Sequence, residues 1–258
     1  MIGDIPVLIL AGGFGTRIGE ETQSKPKPMI EIGGKPILLH IMEIYLKVGV
    51  RRFIILGGYK IEYIKNFFIN FPFYVNDFSI DLGSGEFTLL SQRHPDITVT
   101  VLDTGLKSQT GFRIFSARDY IDTEDFFLTY GDGVSDIDIS KLYAAHKAAG
   151  KIGTVTAVLP PARYGALQVR SNDVIGFSEK LDRSESLISG GFFVFDRAVF
   201  DYLSDDADLI FERDPLETIA NQGQLNAFFH EGFWQSMDTL RDRVYLEKLI
   251  EEGKAPWL

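Results

Sequence analysis

The run Leu10-Ala11-Gly12-Gly13-Phe14-Gly15-Thr16-Arg17 governs the reading of this chain, together with Lys27 in Pro26-Lys27-Pro28, ten residues after Arg17. It comes directly after Pro6-Val7-Leu8-Ile9-Leu10, an apolar run of the length and type of a buried parallel strand. Strand, glycine-rich turn and basic residues together make a seat for phosphates. Glycines let backbone N–H groups approach an anion. Arg17 can fork onto a phosphate, and Lys27 can supply a point charge. A glycine turn alone also serves simply to link a strand to the next element. Two better-known phosphate loops are excluded. A dinucleotide fingerprint from Gly13 needs a third glycine where Ile18 stands, and no Gly-Lys-Ser/Thr triplet is present there for a P-loop.

Outward from this stretch, apolar runs alternate with helical patterns. Strands are expected at 6–10, 52–56, 97–102 and 125–130, and helices at 36–48, 60–70, 111–121 and 139–149. Pro36 suits a first helical position and Gly49 a stop. Such alternation implies βαβ units in an α/β fold with a mostly parallel sheet. Ligands of such sheets sit at the carboxyl ends of the strands. The glycine loop after Leu10 and Gly131-Asp132 after Tyr130 both fall there. Residues 71–95 interrupt the alternation with a hairpin pattern around Gly83-Ser84-Gly85, which reads equally as a lid, an oligomer contact or a plain excursion. Beyond 150, strands are expected at 152–158, 166–170, 174–178, 191–195 and 225–230, and helices at 197–203, 214–222 and 239–251, with Ser171-Asn172-Asp173 as a turn.

The chain has 258 residues, no cysteine and a formal net charge of −10. That length fits one large α/β domain or two small ones. The missing cysteines exclude disulfides, zinc–thiolate sites and thiol nucleophiles, and a cytoplasmic location is the natural expectation. The acidic balance argues against non-specific nucleic-acid binding but leaves room for a local basic pocket. Neither a secretory signal nor a run of roughly 18–20 apolar residues appears, so no membrane partner is expected. The twenty-one phenylalanines are expected mostly in the core.

Several residues could carry chemistry, and each has an ordinary structural reading beside the functional one. Asp132, between two glycines, fits a turn residue capping local amides or a magnesium ligand. Asp238 is the natural second carboxylate, yet Asp238-Thr239 precedes a helical pattern, and Thr239 with Asp242 resembles a capping box. Asp136 and Asp138 read as helix-start residues. Glu179-Lys180 after a strand pattern fits a solvated pair or a substrate contact. Arg113 fits a phosphate ligand or a surface arginine. The histidines His40, His94, His146 and His230 are scattered and form no recognisable dyad.

The intact L-A-G-G-x-G-T-R run with P-K-P resembles the sugar nucleotidyltransferases, which join a nucleoside triphosphate to a sugar 1-phosphate and release pyrophosphate. Lys25 to Met29, Glu31 to Pro36, Tyr130 to Asp136, Gly190 to Val194, Met237 to Asp242 and Gly253 to Trp257 extend the resemblance in order to the C-terminus. It implies a Rossmann-like, mostly parallel mixed sheet flanked by helices, in a single domain. Residues 1–150 would form a nucleotide-binding part, and 151–258 a sugar-phosphate part with the C-terminal helix. It implies Arg17, Lys27 and Asp132 as catalytic residues, with Mg²⁺ held by Asp132 and Asp238. Nucleotide contacts are expected from Leu10, Gly12, Gly13, Gly15, Thr16, Arg17, Lys27, Thr104, Gly105, Thr110, Gly111 and Arg113. Sugar-phosphate contacts are expected from Tyr130, Glu179, Lys180, Gly190 and Gly191. Leu181 stands where the family has proline after the lysine, which puts the local backbone shape in question. The substrates implied by the whole-chain match are CTP and glucose 1-phosphate, with a homo-oligomer expected. Other nucleotides or sugar phosphates, and a catalytically silent sugar-nucleotide binder, are the competing readings. The two intact aspartates argue against the silent one.

Overall fold

The structure is a computed structural model. It describes residues 2–258 apart from 20, 21, 23, 94, 95, 161–165, 171, 172 and 179–186, and for Arg17 and residues 166–178 it describes the backbone alone where it describes them. The strands, in chain order, are β1 (Val7–Ala11), β2 (Glu31–Ile32), β3 (Lys35–Pro36), β4 (Arg52–Gly57), β5 (Phe78–Ile80), β6 (Phe87–Leu89), β7 (Thr98–Asp103), β8 (Asp125–Tyr130), β9 (Gly133–Ser135), β10 (Gly153–Val158), β11 (Ala166–Arg170), β12 (Asp173–Ser178), β13 (Ile188–Asp196), β14 (Leu225–His230) and β15 (Trp234–Ser236). The α-helices are α1 (Ile37–Leu46), α2 (Ile61–Val75), α3 (Thr110–Phe115), α4 (Ile139–Ala149), α5 (Asp214–Asn221) and α6 (Leu240–Glu251).

Seven strands make one sheet in the order β14-β10-β13-β8-β1-β4-β7, which strands from both sides of residue 150 share. Six run parallel, and β13 lies antiparallel between β8 and β10. This is the mostly parallel mixed sheet that the alternation predicts. Strand alternation splits the core into two faces. Val7, Ile9, Phe127, Phe192 and Val194 pack with α1, α4 and α6, while Leu8, Leu10, Phe126, Phe193 and Phe195 pack with α3 and α5. Phenylalanine from β8 and β13 thus fills both layers. Each fully buried ring contributes up to roughly 3 kcal/mol of apolar transfer.

Five details depart from expectation. The helix expected at 111–121 ends at Phe115, where the Ser116 hydroxyl donates to the Phe112 carbonyl (2.8 Å), and resumes as a 3-10 turn Arg118–Tyr120. The segment at 197–203 is a 3-10 turn. α2 runs past residue 70 through Pro72 to Val75, and Pro72, three residues before its end, removes one N–H from the last turn. Pro36 is the N-cap of α1, with ψ 138° ahead of the first helical residue. β9 and β15, each three residues long, pair with one another and leave no mark in the sequence pattern. The hairpin at 71–95 forms as β5–β6. Among the described residues no helix is long and apolar enough to cross a membrane.

Candidate active site

Parallel strands end at one rim of the sheet, and the chemistry collects there. β1 runs into the glycine loop, β7 into Thr104 and Gly105, and β8 into Gly131-Asp132. Because β13 is antiparallel, its beginning, Ile188 to Gly191, reaches the same rim. Gly12 has no room for a side chain: a Cβ would strike the Arg113 guanidinium. The Gly12 carbonyl accepts from the Tyr59 amide (3.2 Å) and from Arg113 Nη2 (3.2 Å). In a planar trans peptide the Gly13 N–H points opposite to the Gly12 carbonyl, away from Arg113, and a Cβ at Gly13 would meet nothing within 4 Å. Gly15 takes φ +63°, a left-handed turn, and packs against the stem of Lys27, whose Cβ would lie 3.1 Å from an added methyl. Thr16 opens a short 3-10 turn. The side chain of Arg17 lies outside the described residues.

Lys27 starts a 3-10 turn between two prolines that stiffen it. Its Nζ donates to Asp132 Oδ2 (2.6 Å) and to Asp238 Oδ1 (2.8 Å). Burial works against this charge, but Asp132 and Asp238 outweigh it and hold the Lys27 pKa above the ordinary lysine value. The two carboxylates meet because β9 and β15 pair antiparallel, Gly133 opposite Ser236, and the Met237 amide donates to the Asp132 carbonyl (2.8 Å). The capping box of α6 belongs to Thr239 and Asp242, leaving the Asp238 carboxylate turned to the site. There it also accepts from the Ser236 hydroxyl (2.9 Å). Asp132 likewise reaches across the fold to Lys27 instead of capping its own turn. Asp138 caps α4 as expected, by accepting from the Lys141 amide. Asp136 is not a helix-start residue: its carboxylate lies 3.0 Å from His230 Nε2.

Two adjoining clefts open at this rim. One is lined by the glycine loop, Thr16, Leu10, Lys27 and residues 106–110. The other is lined by Gly190, Gly191, Trp234 and Ser236. Tyr130, Asp132 and Asp238 line both. Gly191 has φ +75°, and a Cβ there would come 2.5 Å from the Tyr130 ring. The Gly190 carbonyl accepts from Trp234 Nε1 (2.6 Å). The Tyr130 hydroxyl donates to Glu212 (2.5 Å), and burial, with that carboxylate, pushes its pKa far up, so it stays protonated. Glu212 also accepts from the Thr110 hydroxyl (2.6 Å).

Arg113 differs from the phosphate-ligand expectation. It is 4 % exposed, and its terminal nitrogens donate to the carbonyls of Gly12, Gly57 and Gly105 and to the Thr104 hydroxyl (2.6 Å). It ties the glycine loop to the end of β7. Thr104, Gly105 and Gly111 stand behind the cleft wall, and Leu106, Lys107, Ser108 and Gln109 form its surface beside Thr110. Glu179 and Lys180 lie outside the described residues. Sequence reading missed Lys107, Glu212, Trp234 and Ser236. Trp234, one of two tryptophans and four residues before Asp238, carried a usable signal. Glu212, one of the three charges Glu212-Arg213-Asp214 at the start of α5, carried none.

Residues 6–242 match the family described as nucleotidyl transferase. The chain is 49% identical over 251 residues to glucose-1-phosphate cytidylyltransferase of Salmonella typhimurium, covering 97% of each chain. It is 42% identical to a Bacillus subtilis protein named probable glucose-1-phosphate cytidylyltransferase, covering 97% of this chain and 98% of that one. Among solved structures, HddC from Yersinia pseudotuberculosis superposes with a TM-score of 0.70 at 24% identity, covering 95% of this chain and 99% of that one, a likeness of fold.

Proposed function

The chain belongs to the nucleotidyl transferase family, and on that premise we propose that it transfers the cytidylyl group of CTP to glucose 1-phosphate, giving CDP-glucose and pyrophosphate. A phosphate oxygen of the sugar phosphate attacks the α-phosphorus, a P–O bond forms, and the bond to the β-phosphate oxygen breaks. The observation that carries this reading is the convergence of Lys27, Asp132 and Asp238 at the seam of two clefts, one walled by a glycine loop. Similarity to the two relatives supports the choice of base and sugar.

The chain's own residues divide the work. Loop amides from Gly12 to Thr16, with Arg17, receive the triphosphate. Lys27 carries positive charge to the phosphates as negative charge moves onto the leaving group. Arg113 with Thr104 fixes the shape of the wall against which base and ribose lie. Gly190, Gly191 and Tyr130 shape the sugar side, with Glu179 and Lys180 as its polar contacts. Asp132 and Asp238 fit a divalent cation, because they already converge on one cation-sized point and Mg²⁺ takes one or two carboxylates with phosphate oxygens. Mg²⁺ held there would supply charge neutralisation at the α-phosphoryl group. No proton relay is needed for attack by a phosphate oxygen. A cytoplasmic homo-oligomer belongs to the same reading, and exposed apolar side chains of the hairpin such as Leu82 and Phe87 are its candidate contact, which sedimentation of Leu82→Asp against wild type tests.

The test is pyrophosphate release with CTP, UTP, dTTP and ATP, each with glucose 1-phosphate. A site that hydrogen-bonds cytosine leaves buried groups unpaired with uracil or thymine, at about 1–3 kcal/mol per group, so kcat/KM for CTP should exceed the others by roughly tenfold to a hundredfold or more. Equal values would leave only the broader family activity.

A further inference from the structure

The Lys27 ammonium sits between the two carboxylates that a divalent cation would use. Its side chain is 13% exposed, and Nζ lies 2.6 Å from Asp132 and 2.8 Å from Asp238. One ammonium between two carboxylates leaves a single net negative charge on the trio. A free divalent cation arriving there meets a weak attractor with a positive charge already in its centre. The start of the Lys27 side chain is fixed, its backbone flanked by Pro26 and Pro28 and its Cβ and Cγ against Gly15. The ammonium beyond is held by the two carboxylates, and as a point charge on rotatable bonds it can exchange them for another anion. The place to which it can turn adjoins it, since Lys27 also lines the cleft beneath the glycine loop. A triphosphate in that cleft brings several negative charges within reach of the same ammonium.

We infer that Lys27 holds the carboxylate pair closed to free divalent cation in the empty protein, and yields it when a nucleoside triphosphate draws the ammonium away. The inference rests on the proposed cation site at Asp132 and Asp238. It makes Lys27 a coupling residue as well as a phosphate contact. Divalent cation and triphosphate then bind with positive coupling, and linkage makes that coupling reciprocal. Free cation therefore does not load the empty site, and the cation enters with the triphosphate. The lysine also keeps two carboxylates facing each other without a metal, so the site is assembled before substrate arrives.

The test is titration of the nucleotide-free protein with Mn²⁺, with free ion read by electron paramagnetic resonance, a readout that needs no turnover. Lys27→Met keeps the stem and removes the charge; Lys27→Gln is the second variant, and thermal melting checks that each is folded. Wild type should bind Mn²⁺ at least tenfold more weakly than either variant. Adding Asp132→Asn to Lys27→Met should abolish the tightened site. Unchanged or weaker Mn²⁺ binding in both lysine variants overturns the gate; if Asp132→Asn still removes Mn²⁺ binding in the presence of an α,β-methylene CTP analogue, the cation site itself stands. Tightened binding that survives Asp132→Asn places the ion elsewhere and overturns both.

Discussion

Gly191 shows how far a single residue sets the seam between the clefts. Its φ of +75° and the 2.5 Å approach of a Cβ to Tyr130 leave room for glycine alone. Gly191→Ala is expected to cost about 1–3 kcal/mol in stability and to displace the Tyr130 ring. Thermal melting should show the first, and a raised KM for glucose 1-phosphate the second. A variant that melts and turns over as wild type would mean the strand start is free to adapt. Asp132→Asn and Asp238→Asn each remove half the negative charge at the convergence point. Each should lower kcat by at least about a hundredfold, roughly 2.7 kcal/mol of transition-state stabilisation. A folded variant with near wild-type turnover would make that aspartate a turn residue only. Lys27→Arg keeps the charge but replaces a point donor with a planar fork beside a glycine loop packed on its stem, so a large kcat loss is expected there too. At this scale the sequence placed Gly12, Lys27, Asp132 and Asp238 just beyond strand ends or in motif segments, and the structure brings the four together at one cleft. The sequence misled at Arg113. A charged side chain near a phosphate loop looks the same in sequence whether it meets phosphate or a cage of carbonyls, and only the buried ends of β1, β4 and β7 decide.

The element that joins the two halves of the site is the β9–β15 ribbon, and the start of α6 secures it. Asp242, 8 % exposed, accepts from the backbone amides of Asp238 (3.2 Å) and Thr239 (2.9 Å) and from Gln235 Nε2 (3.1 Å). One carboxylate thus fixes both the helix cap and the backbone that aims Asp238. Asp242→Ala leaves these buried donors unpaired at about 1–3 kcal/mol each, so a loss of at least about 2 kcal/mol is expected by urea denaturation. The same variant should lower kcat about tenfold through misplacement of Asp238, with KM for CTP little changed. Stability near that of wild type would show that water takes over the donors. The capping box was legible because its residues are three apart. The ribbon was not: two three-residue strands about a hundred residues apart leave no periodicity to detect. The same holds for the break after Phe115, where one serine hydroxyl turned back on its own helix ends an otherwise continuous apolar pattern. The long β1, β4 and β8 runs, buried on both faces, could be read almost to the residue, because burial on both sides demands an unbroken apolar string.

At the scale of the molecule, the chain closes on itself through a buried histidine. His40 in α1 sets Nε2 2.9 Å from the Ile32 carbonyl, and its Nδ1 accepts from Trp257 Nε1 (3.2 Å). That pairing needs neutral imidazole with its proton on Nε2, since a proton on Nδ1 would face the indole N–H. Burial pushes the His40 pKa down, against the raising pull of the Ile32 carbonyl and with nearby Lys35 adding to the fall. Burial also lowers His146, which sits between Asp125 (3.6 Å) and the Thr154 hydroxyl (3.1 Å). Both histidines therefore have folded pKa values below the unfolded value near 6.5. Below that pH the unfolded chain binds protons that the folded chain refuses. Their contribution is whole above about pH 6.5 and is lost as pH falls from there toward the folded pKa values. The slope is at most about 1.4 kcal/mol per pH unit for each histidine. The carboxylates with depressed pKa, such as Asp122 and Asp138, titrate below this window and do not blur it. Urea denaturation at pH 8, 6.5 and 5 should show stability level across the first interval and falling across the second. His40→Gln can still donate to the Ile32 carbonyl and does not titrate; it should reduce the fall between pH 6.5 and 5. A fall unchanged in that variant would remove His40 from the account, and the acid sensitivity would then belong to His146, held between Asp125 and Thr154.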